Sequence, residues 1–137
     1  MFRKLDDAVS VAGQITPEDI AEAARQGFVA IVNNRPDDEQ PGQPSGAEIE
    51  AAARANGMSY CAIPITQAGF SANQVEAMEQ ALSAAKGPLL AFCRSGTRST
   101  LVWALARARM GDDPAALSAK AEAAGYDLTP VRAFLGQ

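Results

Sequence analysis

Four apolar runs recur along the chain, Val9–Ile15, Phe28–Asn33, Tyr60–Ile65 and Pro88–Phe92, each followed by a segment with helix-start chemistry. Short apolar runs bounded by turn residues predict buried strands. Thr16-Pro17-Glu18-Asp19 combines a capping hydroxyl, a proline suited to the first helical position and acidic groups that favour the positive end of a helix dipole, so a helix is predicted to about Gly27. Ser45-Gly46-Ala47-Glu48 and Ser71-Ala72-Asn73-Gln74 both fit the capping box, in which cap and third residue satisfy each other's free backbone N–H groups. They start the second and third helices. Beyond the last apolar run, Leu101, Ala104, Leu105 and Ala108 fall at helical spacing, and Gly111 is placed to end that helix. Asp113-Pro114 and Thr129-Pro130 start two further short helices. Strands separated by helices predict an α/β fold with a parallel-dominated sheet covered on both faces.

Ligands in such sheets bind at the carboxyl ends of the strands. Two segments open on that edge. One is Asn33-Asn34-Arg35-Pro36-Asp37-Asp38-Glu39, leading into a stretch rich in proline, glycine and polar residues that ends at Pro44 and reads as a surface loop able to cover a site. The other is Cys93-Arg94-Ser95-Gly96-Thr97-Arg98-Ser99, directly after Leu89-Leu90-Ala91-Phe92.

Composition narrows the chemistry. At 137 residues and 47% hydrophobic content the chain suits one domain over 1–137. Its net charge of -4, with scattered basic residues, argues against nucleic acid or an anionic membrane as partner. There is no basic-then-apolar leader and no apolar run near the roughly 20 residues of a membrane span, so a cytoplasmic location is expected. There is no histidine. That excludes Ser-His and Cys-His pairs, and with two cysteines and scattered carboxylates no metal site and no cofactor are expected.

A nucleophile here must therefore be activated by its backbone setting, and Cys93 has one. The helix starting near Thr97 aims its N-terminus at the sulfur, and free N–H groups of the turn Arg94-Ser95-Gly96-Thr97 form an anion cradle that Gly96 allows to close. Such settings lower a cysteine pKa from about 8.5 into the range of roughly 3.5–7.5. Arg98 can fork two donors onto a tetrahedral oxyanion, Ser99 can donate its hydroxyl to the thiolate, and Arg94 adds positive potential at the rim. Asp37 or Asp38 could reach the site as an acid, or simply cap local backbone. Arg35 could bind a second anion or pair with these carboxylates. Cys61, within an apolar run, reads as core filler, and Trp103, Phe92 and Met78 as packing residues.

At these residues the sequence resembles the thiolate-loop enzymes, which include rhodanese-type sulfurtransferases and protein tyrosine or dual-specificity phosphatases. With Val11-Ala12-Gly13-Gln14, Asn33-Asn34-Arg35-Pro36-Asp37 and the cysteine loop together, most of the chain is similar to the phosphatase-like domain of beta-lactamase-hydrolase-like proteins, also known as a sulfur transferase family. The resemblance implies a dual-specificity-phosphatase-like fold with a four- or five-stranded sheet.

Phosphatases of this type have His before the cysteine, five residues between Cys and Arg, and an aspartic general acid on a preceding loop. Here Phe92 precedes Cys93, four residues separate it from Arg98, and Thr66-Gln67-Ala68-Gly69 has no carboxylate. A missing general acid forfeits about 10²–10⁴ in rate for a poor leaving group. Sulfane sulfur transfer expels sulfite, which needs no proton. The sequence expectation is thus a sulfurtransferase that carries sulfur as a Cys93 persulfide from a small anionic donor to a thiol or cyanide. The alternatives are a phosphatase acting through a Cys93 phosphocysteine and a non-catalytic phosphate- or sulfate-binding module.

Overall fold

A computed structural model of the chain describes residues 2–136. Five strands, β1 (Arg3–Lys4), β2 (Val9–Ala12), β3 (Ala30–Asn33), β4 (Ser59–Ala62) and β5 (Leu89–Phe92), form one sheet in the order β1-β2-β5-β3-β4. β2, β5, β3 and β4 run parallel, and β1 pairs antiparallel with β2. The α/β class and parallel-dominated sheet are as the hydrophobic pattern predicts. Each paired segment is shorter than its apolar run, because burial continues past the ladder: Ile63 and Ile65 lie beyond β4 yet donate their N–H groups to Asn33 and Asn34.

Helices α1 (Pro17–Arg25) and α2 (Gly46–Ala55) cover one face, and α3 (Ala72–Ala84), α4 (Thr97–Arg109) and α5 (Pro114–Ala123) the other. Alternation along the strands divides the core. Val9, Val11, Val32, Leu89 and Ala91 point to the α3–α5 side, while Ala12, Ile31, Leu90 and Phe92 pack on Ile20, Ala23, Ile49 and Ala53 of α1 and α2. The capping boxes at Thr16, Ser45 and Ser71 are all formed, with both reciprocal hydrogen bonds present. The Thr129-Pro130 signal starts a 3-10 helix, Thr129–Phe134, which lies against α4.

For the site, the register matters most. Ala12, Phe92 and Asn33 lie side by side across β2, β5 and β3, so the chain leaves three adjacent strands at one level. Gly13, Cys93 and Asn34 follow at the carboxyl edge. Gly13 allows a close approach there: a Cβ would lie 3.0 Å from the Arg94 carbonyl oxygen, a tight contact that the loop would have to shift to admit.

Candidate active site

Cys93 is fully buried at the end of the central strand, its N–H donating to the Ala12 carbonyl at 3.3 Å. Three residues later the chain turns at Gly96, which has φ +89 and whose N–H donates to Cys93 Sγ at 3.1 Å. α4 then begins without a side-chain cap, unlike α1, α2 and α3. Among the described residues the N–H groups of Arg94, Ser95, Arg98 and Ser99 have no protein acceptor. They belong to the turn that follows Cys93 and to the first turn of a thirteen-residue helix, at its positive end, and the Gly96 N–H of the same turn already points at the sulfur. That arrangement can hold an anion and stabilise negative charge on sulfur.

Arg98 lies between Cys93 and a carboxylate. Its Nη1 donates to the Ile65 carbonyl at 2.6 Å and to Glu39 Oε2 at 2.7 Å, and its Nη2 donates to Glu39 Oε1 at 2.9 Å. Three of the five guanidinium donors are thereby occupied. The Nε–H and one Nη2–H remain without a protein acceptor among the described residues, and they form the edge that can fork onto an oxyanion. The hydrogen bond to the Glu39 carboxylate favours the cationic form of Arg98, outweighing the opposite effect of burial.

Glu39 is the site residue that the sequence did not single out. It comes from the loop between β3 and α2, and Arg35 holds it from the other side, Nε to Oε1 at 2.8 Å. Arg35 is itself buried, with Nη1 on Gln14 Oε1 at 3.0 Å and Nη2 on Gln40 Oε1 at 2.9 Å. Of the two roles open to Arg35, the geometry gives the ion-pair one, but with Glu39 rather than Asp37 or Asp38. Its signal in the sequence is modest: an acid four residues after an arginine, inside a proline- and glycine-rich loop. Two guanidinium groups face one carboxylate, so the cluster keeps a net positive charge beside the sulfur.

Those contacts pull the Glu39 carboxyl from its ordinary 4.5 to about 2, the hydrogen bond from Arg98 contributing most. A depressed carboxyl binds fewer protons folded than unfolded, so its contribution to stability is complete above pH 4.5 and is lost as the pH falls toward about 2. The stability difference between wild type and Glu39→Gln, from urea unfolding, should be constant at neutral pH and shrink in that acid window. A difference unchanged down to pH 2 would detach Glu39 from the two arginines.

One expectation is corrected and one open alternative is narrowed. Ser99 does not donate to the sulfur: the Asn34 amide N–H bonds the Ile63 carbonyl, which leaves Asn34 Oδ1 to accept the Ser99 hydroxyl at 2.8 Å. Ser99 thus ties α4 to the end of β3. Asp37 is not aimed at the cysteine, its Oδ1 accepting from the Gly46 N–H at 2.7 Å at the start of α2. Asp38 sits exposed in the left-handed region at φ 63. Neither supplies a proton donor, and Glu39 is ionised. Ser95 and Thr97 line the exposed rim with their hydroxyls paired at 3.0 Å, and Arg94 beside them is exposed with no hydrogen bond from its side chain among the described residues. Cys61 is half-buried on β4 and burial pushes its thiol up, which fits an unreactive packing residue.

The family model for the phosphatase-like domain of beta-lactamase hydrolase-like proteins matches residues 1–110, which include the whole cysteine loop and Glu39. The chain belongs to this family. A beta-lactamase hydrolase-like protein of Agrobacterium fabrum is 35% identical over 108 residues, covering 79% of this chain and 25% of the relative. The chain spans between a quarter and a third of the length of such curated relatives. A candidate phosphatase of Neisseria meningitidis, in crystal form, superposes with a TM-score of 0.84 at 34% identity, over 97% of this chain and 94% of that one. A variant of P. aeruginosa TpbA in complex with phosphotyrosine shares the fold at 19% identity, with a TM-score of 0.63 over 96% of this chain and 88% of its own. These phosphatase-like relatives and neighbours favour the phosphatase alternative and lend no support to sulfur transfer or a thiol acceptor. No helix is long and apolar enough to cross a membrane among the described residues.

Proposed function

We propose that this domain is a cysteine-dependent phosphatase acting on aryl phosphate monoesters. The observation that carries the proposal is the Nε/Nη2 edge of Arg98, without a protein acceptor among the described residues, on the same loop as Cys93 and the free N–H groups. A phosphoryl group seated there has donors for its non-bridging oxygens while the sulfur stands in line with the leaving oxygen. Cys93 Sγ forms a bond to phosphorus, the phosphorus–oxygen bond to the leaving group breaks, and the departing oxygen takes the electron pair. Water then attacks the phosphocysteine, releasing inorganic phosphate and restoring the thiolate. The phosphotyrosine held by the distant TpbA neighbour is compatible with a substrate of this class.

Among the described residues Asp37, Asp38 and Glu39 of the covering loop are not placed or protonated to donate to the leaving oxygen. A general acid is worth about 10²–10⁴ where the leaving group is poor. Hydrolysis should therefore fall steeply across a series of aryl phosphates as the phenol becomes less acidic, and acid quenching with an activated substrate should trap phosphate on Cys93. A thiosulfate and cyanide assay runs alongside. If Cys93 gained one sulfur and no aryl phosphate were cleaved, sulfur transfer would replace this proposal. A flat leaving-group series would instead require an acid that the geometry does not offer.

A further inference from the structure

The Ser95–Gly96 peptide is the part of the cradle that meets the sulfur directly, its N–H lying 3.1 Å from Cys93 Sγ. Gly96 occupies the left-handed region at φ +89, and with no Cβ it can accommodate either orientation of the preceding peptide. The choice has a large electrostatic consequence. In one orientation the Gly96 N–H faces Cys93 Sγ; in the other the Ser95 carbonyl oxygen faces it and repels a thiolate.

The observed orientation has an external tie. The Tyr126 hydroxyl donates to the Ser95 carbonyl oxygen at 2.9 Å, from the turn after α5. In a trans peptide the C=O and N–H of one unit point opposite ways, and no described peptide bond is cis. Holding the carbonyl toward Tyr126 therefore aims the N–H at the sulfur, where it lies at 3.1 Å. The next peptide is fixed separately, since Thr100 N–H and Oγ1 both donate to the Gly96 carbonyl, at 3.0 and 2.8 Å. Tyr126 also packs directly over Gly96, so closely that any Cβ there would collide with its hydroxyl. The ring is braced in turn by the Arg3 guanidinium, 5.5 Å from its centroid, whose Nη1 donates to the Ala124 carbonyl at 3.0 Å. Burial pushes the Tyr126 phenol up, so it remains a donor across the neutral range.

We propose that Tyr126 is a positioning residue that locks the Ser95–Gly96 peptide with its N–H on the Cys93 sulfur. It lies outside residues 1–110, the span of the family match, yet acts on the loop at the centre of that span. The proposal rests on Cys93 being the thiolate nucleophile but not on which substrate it attacks.

The test uses the full chain and two variants without the hydroxyl, Tyr126→Phe and Tyr126→Leu. Neither variant removes a charged group from around Cys93: Arg98 with Glu39 and Arg35 behind it, Arg94 on the loop, and Arg3, which keeps its ring partner only in Tyr126→Phe. Two readouts follow the lock directly, the amide proton shift of Gly96 and the rate of iodoacetamide alkylation of Cys93 across pH. The Gly96 signal should move upfield, and alkylation at neutral pH should slow roughly three- to tenfold, the size expected for one lost hydrogen bond. The alkylation profile should move to higher pH, with the unfolding midpoint near that of wild type. A folded variant in which either readout keeps its wild-type value overturns the proposal, and so does unfolding of both variants, which would assign Tyr126 to packing. Both readouts are independent of phosphate hydrolysis, so a wild-type protein inert toward aryl phosphates would sink the functional proposal while leaving this one to be decided.

Discussion

Cys93→Ser should abolish turnover while leaving the fold intact. The side chain is fully buried and the substitution is close to isosteric, so packing around Phe92 and Ala12 changes little. The chemistry changes completely. Without histidine in the chain and without an ionisable base near the sulfur other than the committed Glu39, a serine hydroxyl has nothing to take its proton. The cradle that stabilises a thiolate does not make an alkoxide accessible at neutral pH. Hydrolysis of an activated aryl phosphate should drop by at least about 10³, below what a positioned but unactivated nucleophile supplies. Binding should survive, because the Arg98 edge and the loop N–H groups remain, and phosphate or vanadate should still protect the variant against thermal unfolding. Cys61→Ala is the paired control. Cys61 sits on β4 at the edge of the sheet, with its thiol pushed up by burial, and its loss should leave most of the rate. If Cys61→Ala were as inactive as Cys93→Ser while still folded, a two-thiol mechanism would be needed.

The parts of this site that were legible in the sequence are those encoded locally. The capping pairs Thr16/Asp19, Ser45/Glu48 and Ser71/Gln74 lie three residues apart, so their hydrogen bonds follow from the order of the residues. Cys93 follows a central strand and precedes a helix, which is enough to place it at the carboxyl edge. What escaped depends on long loop closures. Glu39 meets Arg98 across 59 positions and Ser99 meets Asn34 across 65, and a hydroxyl on the same loop as the cysteine gives no sign that it will turn to a strand end instead. β1 was missed for another reason. Its two residues, Arg3 and Lys4, are charged and exposed, so they have no apolar period, and only the ladder to Val11 and Ser10 makes them a strand. Of the two readings the sequence left for Asp37, an acid at the site or a cap on local backbone, the structure has the capping one, its carboxylate accepting from the first N–H of α2.

Arg98→Lys should be damaging although it keeps the charge. The guanidinium does two jobs at once. Its Nη1 and one Nη2 donor anchor it to Ile65 and Glu39, and that anchoring leaves the Nε/Nη2 edge free for a substrate. A lysine has three donors on one atom. If they satisfy Glu39 and the Ile65 carbonyl, at most one is left for the substrate, and the paired fork to two phosphoryl oxygens is gone. If the ammonium turns to the substrate instead, Glu39 loses its chief partner and the loop that carries it is loosened from α4. A charge-assisted hydrogen bond is worth about 1.5–3 kcal/mol, so kcat/KM should fall roughly ten- to a hundredfold. The loss should appear mainly in kcat, because the fork tightens on the equatorial oxygens as phosphorus becomes planar. Arg94→Lys is the comparison that isolates geometry from charge. Arg94 is exposed on the same loop with no hydrogen bond from its side chain among the described residues, so that substitution should change kcat/KM less than about threefold. Equal kinetics for wild type and Arg98→Lys would remove the forked edge from the mechanism, and would leave the backbone N–H groups as the whole of the phosphoryl site.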